Sequence, residues 1–230
     1  MIKGILFDFN GVIIDDEPIQ MRAYQEILGK EGIALTEEDY YSCLGMDDKT
    51  FVEEAYRRAE KEPGTNKVLE VTLAKTTKWR ELISDELPLF DGVVDFIRKM
   101  SNDFALGIVS MANREEIEFV LEKAGLRDCF SVIVSAEDVS NCKPHAECYL
   151  KGFNALDSYR IRQQHLPMVH SECLVIEDSP PGIISAKNAR LQALGVTNTV
   201  SAEALREAGA DAVTKNLDDW MPGSVRRVFV

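Results

Sequence analysis

The sequence predicts an α/β fold, a parallel sheet covered by helices with one helical unit inserted into it. Short apolar strands alternate with amphipathic helices after Pro88, a pattern typical of parallel sheets. Another apolar strand, residues 2–7, opens the chain, whereas residues 16–87 contain no convincing strand. We therefore predict a core domain of residues 1–15 and 88–230 and a helical cap domain of residues 16–87.

The individual elements follow from the spacing of the apolar residues. In the inserted unit, Tyr24, Ile27 and Leu28 recur at helical spacing. In the core, an apolar stripe with the same spacing ends at Gly125, a typical helix stop. The strands predicted after the first comprise residues 105–109, 132–134, 174–176 and 193–196.

Composition restricts the class of partner. The 230-residue chain carries 39 acidic and 26 basic residues, a net charge of −13. Binding to nucleic acid depends on neutralising phosphates with basic side chains, so we expect no nucleic-acid partner. A small phosphorylated substrate is compatible with this charge, because local groups and a bound cation set the field within a site.

Cysteine usage and hydropathy predict the compartment. The five cysteines are odd in number and form no C-x-x-C pair, which favours free thiols in a reducing compartment. Asp8 and Asn10 interrupt the apolar N-terminus, so it does not resemble a signal peptide, and no apolar segment is long enough to span a bilayer. We expect a cytoplasmic monomer with no membrane partner.

Polar side chains follow the predicted strands at the points where they end. Asp8 follows the first strand and precedes a glycine turn, and Ser110 follows the second strand. Glu177 and Asp178 end a later strand, and Lys143 lies in a loop after residues 132–134. Parallel strands put their carboxyl ends at one edge of the sheet, where ligands bind in open α/β folds. We therefore expect these side chains to converge.

Together these groups suit phosphoryl transfer. Three carboxylates suit a hard divalent cation such as Mg²⁺, while a lysine and a serine suit phosphoryl oxygens. Asp8 has no basic neighbour in the sequence, and an unpaired acid there is typical of a nucleophile or a metal ligand. Taken singly, each group has an ordinary explanation as a helix cap or surface turn. Their order and shared position favour a functional role.

Four segments resemble the four sequence motifs of the haloacid dehalogenase superfamily. They are residues 7–12 (FDFNGV), residues 106–110 (LGIVS), Lys143-Pro144 with Glu147 and Tyr149, and residues 175–179 (VIEDS) with Gly182. The likeness covers nearly the whole chain. The inserted unit and the stretch at 15–18 (DDEP) are similar to the branch that contains β-phosphoglucomutase and phosphoglycolate phosphatase. This resemblance implies a Rossmann-like core with a helical cap.

The resemblance also implies roles for the strand-end residues. Asp8 would be the nucleophile and a Mg²⁺ ligand, and the backbone carbonyl of Asn10 a second ligand. Asp178 would be a further ligand, with Glu177 bound directly or through water. The phosphoryl oxygens would be held by Ser110, Lys143 and the backbone N–H groups of Met111 and Ala112.

Position 10 departs from the pattern of the superfamily. The first motif normally carries an acid there, which protonates the leaving group and then activates water, but this chain has Asn10. An amide cannot perform either proton transfer, and loss of such help costs about 10²–10⁴ in rate. The chain is either a substituted variant or a natural member with weak or altered activity.

Two further departures lie outside the motifs. Arg190 stands where the superfamily pattern predicts a glycine turn, which indicates altered packing rather than altered chemistry. The segment of residues 154–170 is longer than usual between the third and fourth motifs. We interpret its histidines as surface residues rather than metal ligands.

The loop of residues 44–49 resembles the cap loop that closes over the leaving group in this branch. We expect Gly45 and Lys49 to contact substrate, and Lys49 could meet an anionic group. An exposed lysine at a helix start is an equal alternative for Lys49. Closure of the cap would exclude water from the site.

The resulting hypothesis is a Mg²⁺-dependent phosphatase of a small phosphorylated metabolite, a sugar phosphate or a phosphoglycolate-like acid. It would act through an aspartyl-phosphate on Asp8, with activity weakened by Asn10. A phosphomutase similar to β-phosphoglucomutase is the near alternative, and a non-catalytic phospho-ligand binding protein is another. A haloacid dehalogenase would not need the acids Glu177 and Asp178, which speaks against that activity.

Overall fold

A parallel sheet of six strands forms the centre of the molecule. The computed structural model describes residues 1–229, apart from the side chain of residue 65. The strands are β1 (Gly4–Phe7), β2 (Ala105–Val109), β3 (Val132–Val134), β4 (Cys173–Glu177), β5 (Gln192–Val196) and β6 (Ala212–Thr214). They pair in the order β3-β2-β1-β4-β5-β6, all parallel. The predicted α/β class is confirmed.

Strand β6 is an addition to the five strands that the sequence predicted. It has only three residues, all half-buried, and it pairs with β5 alone. So short an edge strand lacks the apolar run that marks a buried parallel strand, because only one of its sides is bonded to a neighbour.

Helices cover both faces of the sheet and enclose two apolar clusters. Phe7 and Ile5 contribute to one cluster, and Leu6 contributes to the other, because alternate residues of a strand point to opposite faces. The helices of this part are α5 (Val93–Ser101), α6 (Arg114–Lys123), α7 (Glu147–Arg162), α8 (Pro180–Asn188), α9 (Ala202–Glu207) and α10 (Pro222–Val228), which follow the helices of the inserted unit.

The regular elements of the inserted unit, between β1 and α5, are helices joined by short loops. These helices are α1 (Glu17–Lys30), α2 (Glu37–Tyr41), α3 (Asp48–Arg58) and α4 (Thr65–Leu82). They share an apolar cluster of their own, in which Tyr24 packs against Phe51 with ring centroids 4.3 Å apart. Trp79, in contrast, is fully buried in the apolar cluster of the sheet. The unit therefore has its own core and also packs on the sheet.

The chain enters and leaves the helical unit at adjacent points. The backbone N–H of Asp15 donates to the carbonyl of Pro88 over 2.6 Å, and Ile14 bridges Leu89 in antiparallel fashion. Two neighbouring crossings of this kind are compatible with a hinge. That residues 16–87 behave as a separate domain stays a prediction.

The structure shows the conformation of Arg190 and of residues 154–170, the two departures outside the motifs. Arg190 comes two residues after the end of α8. Its φ of 61° is a left-handed conformation that favours glycine. Residues 154–170 continue α7 to Arg162 before the chain turns towards β4. His165 is exposed, whereas His170 is half-buried and stacks on Phe153 with ring centroids 4.3 Å apart.

Within residues 1–229, no helix combines the length and apolar character needed to cross a membrane.

Candidate active site

The polar residues at the strand ends meet at one edge of the sheet. Phe7 of β1 lies level with Ile108 of β2 and with Ile176 of β4, so the residues that follow them are neighbours in space. Asp8, Ser110, Lys143, Glu177 and Asp178 are all buried at this edge. The structure thus brings together the side chains that the strand pattern placed there.

Lys143 joins two of the acids. Its ammonium nitrogen lies 2.9 Å from Asp8 Oδ1 and 2.6 Å from Glu177 Oε1. The sequence-based expectation that Asp8 is unpaired is therefore wrong, because its partner is far away in the chain. Although burial lowers it, the two carboxylates raise the pKa of Lys143 well above its usual value. Lys143 is positively charged at every physiological pH.

Glu177 is engaged at both of its oxygens. Its Oε1 accepts from Lys143 and, over 2.7 Å, from the Tyr149 hydroxyl. Its Oε2 accepts from the Ser179 hydroxyl over 3.0 Å and from two backbone N–H groups. A Cβ at Gly182 would lie 1.9 Å from this carboxylate, so only glycine allows the approach. These contacts indicate that Glu177 holds Lys143 in place.

The acids at this edge fit a divalent cation. One oxygen from each of Asp8, Glu177 and Asp178 lies within 4.8 Å of the others. Asp8 Oδ1 is buried and accepts no hydrogen bond of good geometry. Burial, together with the neighbouring acids, raises the pKa of Asp8 to about 6 and that of Asp178 well above its usual value. A hard cation with oxygen ligands, such as Mg²⁺, would relieve this excess negative charge.

Asp8 and Asp178 are the acids best suited to hold such a cation, because Glu177 is already occupied. Asp178 Oδ2 accepts a hydrogen bond from the Thr199 hydroxyl. A Cβ at Gly11 would lie 1.9 Å from the same oxygen, so the turn after β1 must pass close to it. Gly11 has a φ of 73°, a conformation that also favours glycine.

Ser110 and the residues after it face the same space. The Ser110 hydroxyl oxygen accepts from the backbone N–H of Ala112 over 3.1 Å and is buried. Ser110, Met111 and Ala112 line the cavity beside Asp8. The turn from β2 to α6 thus offers a hydroxyl and backbone donors to an anion.

Asn10 is held by a second acid. Its amide nitrogen lies 2.9 and 3.1 Å from the two oxygens of Asp16. Asp16 also accepts from Gln20 over 3.0 Å and from the Trp79 indole over 2.7 Å, and it is completely buried. Its pKa is raised by burial, against the effect of these donors. The sequence analysis gave Asp16 no role, because its partner Trp79 lies 63 residues further along the chain, on α4.

A cavity of about 100 Å³ lies between the sheet edge and the helical unit. It is also lined by Lys75, which bridges Asp48 at 2.9 Å and Glu116 at 3.0 Å. Asp48 also accepts from the Tyr24 hydroxyl and from the Asn113 amide. This cluster joins the helical unit to α6. The sequence analysis did not identify this cluster, because charged residues of an amphipathic helix usually face solvent and the sequence does not show which of them are buried.

Comparison with known proteins gives the family. Residues 5–196 match the family described as haloacid dehalogenase-like hydrolase. The chain belongs to this family. The predicted resemblance is therefore confirmed, and so is the expected class of enzyme, a hydrolase of phosphoric monoesters.

Individual relatives agree with this assignment. The chain is 28% identical over 223 residues to a validoxylamine A 7'-phosphate phosphatase of Streptomyces hygroscopicus subsp. limoneus, covering 95% of this chain and 96% of that protein. It is also 28% identical over 217 residues to a phosphorylated carbohydrates phosphatase of Thermotoga maritima, covering 93% and 94%. A longer relative is Arabidopsis thaliana SUPPRESSOR OF QUENCHING 1, 24% identical over 94% of this chain, which spans only 20% of that protein.

Solved structures show the same fold. The β-phosphoglucomutase of Clostridium difficile superimposes with a TM-score of 0.84 at 22% identity, over 100% of this chain and 97% of that one. This likeness includes the inserted helices as well as the sheet.

The loop of residues 44–49 approaches the same edge of the sheet through Gly45. A Cβ at Gly45 would lie 3.1 Å from Pro181 and 3.3 Å from Lys143, and its φ is 87°. Leu44, Gly45 and Met46 line the cavity. Lys49 does not line it. Its side chain is 74% exposed and lies 3.9 Å from Glu53, because it stands on the outer face of α3.

Proposed function

We propose that the chain is a Mg²⁺-dependent phosphatase that hydrolyses a monophosphate ester of a neutral, polyhydroxylated compound such as a sugar or sugar alcohol. Asp8 would attack the phosphorus and form an aspartyl-phosphate, which water then hydrolyses. The buried position of Asp8 at the cavity wall, 2.9 Å from the Lys143 ammonium, supports this assignment.

The surrounding residues suit the separate parts of this reaction. Ser110, the backbone N–H groups of Met111 and Ala112, and Lys143 would hold the phosphoryl oxygens. Glu177 would keep Lys143 in place through its 2.6 Å contact. Mg²⁺, held by Asp8, Asp178 and the backbone carbonyl of Asn10, would neutralise charge on the phosphoryl group.

The charge of the cavity supports the proposed class of substrate. Among the described residues that line it, two carry positive charge, Lys75 and Lys143. Each is already paired with two carboxylates, within 3.0 Å. A second anionic group on the substrate would thus meet no free cation, and like charges repel. A neutral leaving group avoids this repulsion.

This charge distribution favours a sugar phosphate over a phosphoglycolate-like acid. It also favours a phosphatase over a phosphomutase of the β-phosphoglucomutase kind, which must hold a sugar bisphosphate. Relatives named for phosphorylated carbohydrates and for validoxylamine A 7'-phosphate support the same substrate class. A cytoplasmic location and a monomeric state stay predictions.

A panel of phosphate esters, assayed with and without Mg²⁺, tests this function. We expect kcat/KM for neutral sugar and sugar-alcohol monophosphates to exceed that for phosphoglycolate and sugar bisphosphates by about tenfold or more. The variant Asp8→Asn is the control and should be inactive. Preference for a bisphosphate would favour the mutase. Binding of phosphate esters without hydrolysis would identify a non-catalytic binding protein.

A further inference from the structure

Asn10 leaves the reaction without a proton donor at the position where the superfamily has one, but other acids line the same cavity. Five carboxylates line the cavity, those of Asp8, Glu17, Asp48, Glu116 and Asp178. Asp8 and Asp178 belong to the cation site, and Asp48 and Glu116 are paired with Lys75. Glu17 alone has neither role.

Glu17 is the first residue of α1 and is half-buried at the cavity wall. Its Oε2 accepts a hydrogen bond from the Tyr40 hydroxyl over 2.6 Å. Among the described residues, no Lys, Arg or His nitrogen forms an ion pair with it. A carboxyl group held by a neutral donor is free to exchange a proton with a ligand in the cavity.

Asp16, next to Glu17, is a less suitable proton donor. It is completely buried and does not line the cavity. Its oxygens accept from Asn10, Gln20 and Trp79, which leaves it no open direction towards a substrate. We assign Asp16 to the positioning of Asn10.

We propose that Glu17 is the general acid and base of this enzyme, in place of the acid that Asn10 does not provide. This proposal rests on the function proposed above. As the bond between phosphorus and the leaving oxygen breaks, the Glu17 carboxyl gives its proton to that oxygen and the alcohol departs. The resulting carboxylate then takes a proton from the water that attacks the aspartyl-phosphate. Phosphate leaves, and Asp8 and protonated Glu17 are restored.

The electrostatics of the site agree with this role. Burial, then the charge of Asp16, raises the pKa of Glu17 from 4.5 to about 7. A pKa near the working pH suits a group that must both give and accept a proton. The charged and titratable groups that influence Glu17 are Asp8, Asp16, Tyr40, Lys75 and Asp178.

The variant Glu17→Gln tests the proposal with two esters of different leaving group. An alkyl leaving group needs a proton as it departs, whereas p-nitrophenolate does not. We expect kcat for a hexitol monophosphate to fall by about 10²-fold or more and kcat for p-nitrophenyl phosphate to fall far less. Glu26→Gln, an exposed acid on the same helix, is the matched control and should change neither value. Equal losses for both esters would indicate a structural role and overturn the proposal.

A second background separates this proposal from the proposed function. Asn10→Asp with Asp16→Asn restores an acid at position 10, so adding Glu17→Gln there should cost less than about threefold on the hexitol ester. The same large loss in both backgrounds would contradict the role of Glu17. If only the variant with Asn10→Asp and Asp16→Asn is active, the role proposed for Glu17 is wrong, and the other proposed site residues are unaffected. No hydrolysis in either background would overturn the proposed function.

Discussion

The side-chain amide of Asn10 donates to the carboxylate of Asp16, with distances of 2.9 and 3.1 Å to its two oxygens. The amide thus supplies a hydrogen-bond donor to Asp16, a completely buried acid that requires one. An aspartate at position 10 would face Asp16 at the same separation, and two carboxyl groups that close cannot both be ionised. Asn10 therefore matches its surroundings, and a single change at position 10 disturbs two residues.

Exchanging the pair should raise activity more than changing Asn10 alone. Asn10→Asp restores a proton donor and acceptor, but Asp16 opposes its ionisation. The double variant Asn10→Asp, Asp16→Asn restores the acid and keeps one amide against one carboxyl. We expect the double variant to raise kcat on alkyl monophosphates by about tenfold or more.

Thermal unfolding at neutral pH provides the accompanying measurement. The single variant Asn10→Asp should have a lower Tm than the parent, and the double variant should recover most of the loss. If the single variant is as stable and as active as the double one, the two side chains are not coupled.

Loss of Asp178 should abolish binding of Mg²⁺. Asp178 Oδ2 lies beside Gly11, and one oxygen of Asp178 lies within 4.8 Å of an oxygen from each of Asp8 and Glu177. Calorimetry with Mg²⁺ should show heat of binding for the parent and for the control Asp128→Ala, an exposed acid, but none for Asp178→Ala. Unchanged affinity in Asp178→Ala would mean that the cation binds elsewhere.

The variant Glu17→Gln should be more stable than the parent at high pH. The pKa of Glu17 is about 7 in the folded protein and 4.5 as its ordinary value, so the parent loses stability as the pH rises through this window. Glutamine carries no proton to lose. In the absence of metal we expect the variant to gain about 2 kcal/mol in unfolding free energy above pH 7, after allowance for partial exposure.

Denaturant unfolding at several pH values measures this difference. The two proteins should be equally stable near pH 4, where Glu17 is protonated. A difference that does not change with pH would show that Glu17 keeps its ordinary pKa.

Glu116→Gln should relax the discrimination against anionic substrates. Glu116 is buried 3.0 Å from Lys75, and its charge is one of two that neutralise that lysine. Removing it frees part of the charge of Lys75, so kcat/KM for a sugar bisphosphate should rise relative to that for the monophosphate. The neighbouring Glu115, 70% exposed and paired with Arg80, supplies the matched control Glu115→Gln. An unchanged ratio would place the selectivity outside this cluster.

The loop of residues 45–49 should determine which esters are hydrolysed. Gly45 approaches Pro181 and Lys143, and we expect the helical unit to move about the two neighbouring crossings near Asp15 and Pro88. Replacing this loop should change the ranking of substrates by kcat/KM and leave Mg²⁺ affinity near its parent value. An intact ranking would place specificity elsewhere, such as residues 154–170.

The sheet and the candidate site at its edge were predictable because both follow from local patterns. An apolar run followed by a polar residue marks a strand and its carboxyl end, and parallel pairing then brings Asp8, Ser110 and Asp178 together. Lys49 shows the limit of this reasoning. Its place near a matching loop predicted a contact with substrate, but the face of α3 on which it lies directs it to solvent.

The sequence by itself determined the family, five of the six strands and the polar residues at their ends. Only the tertiary structure decided which charged groups are free to act, because pairing depends on distance in space and not along the chain. Asp16 meets Trp79 across 63 residues, and Lys75 meets Glu116 across 41. Those contacts occupy their carboxylates and leave Glu17, held by Tyr40, facing the cavity as an acid without an ion-pair partner among the described residues.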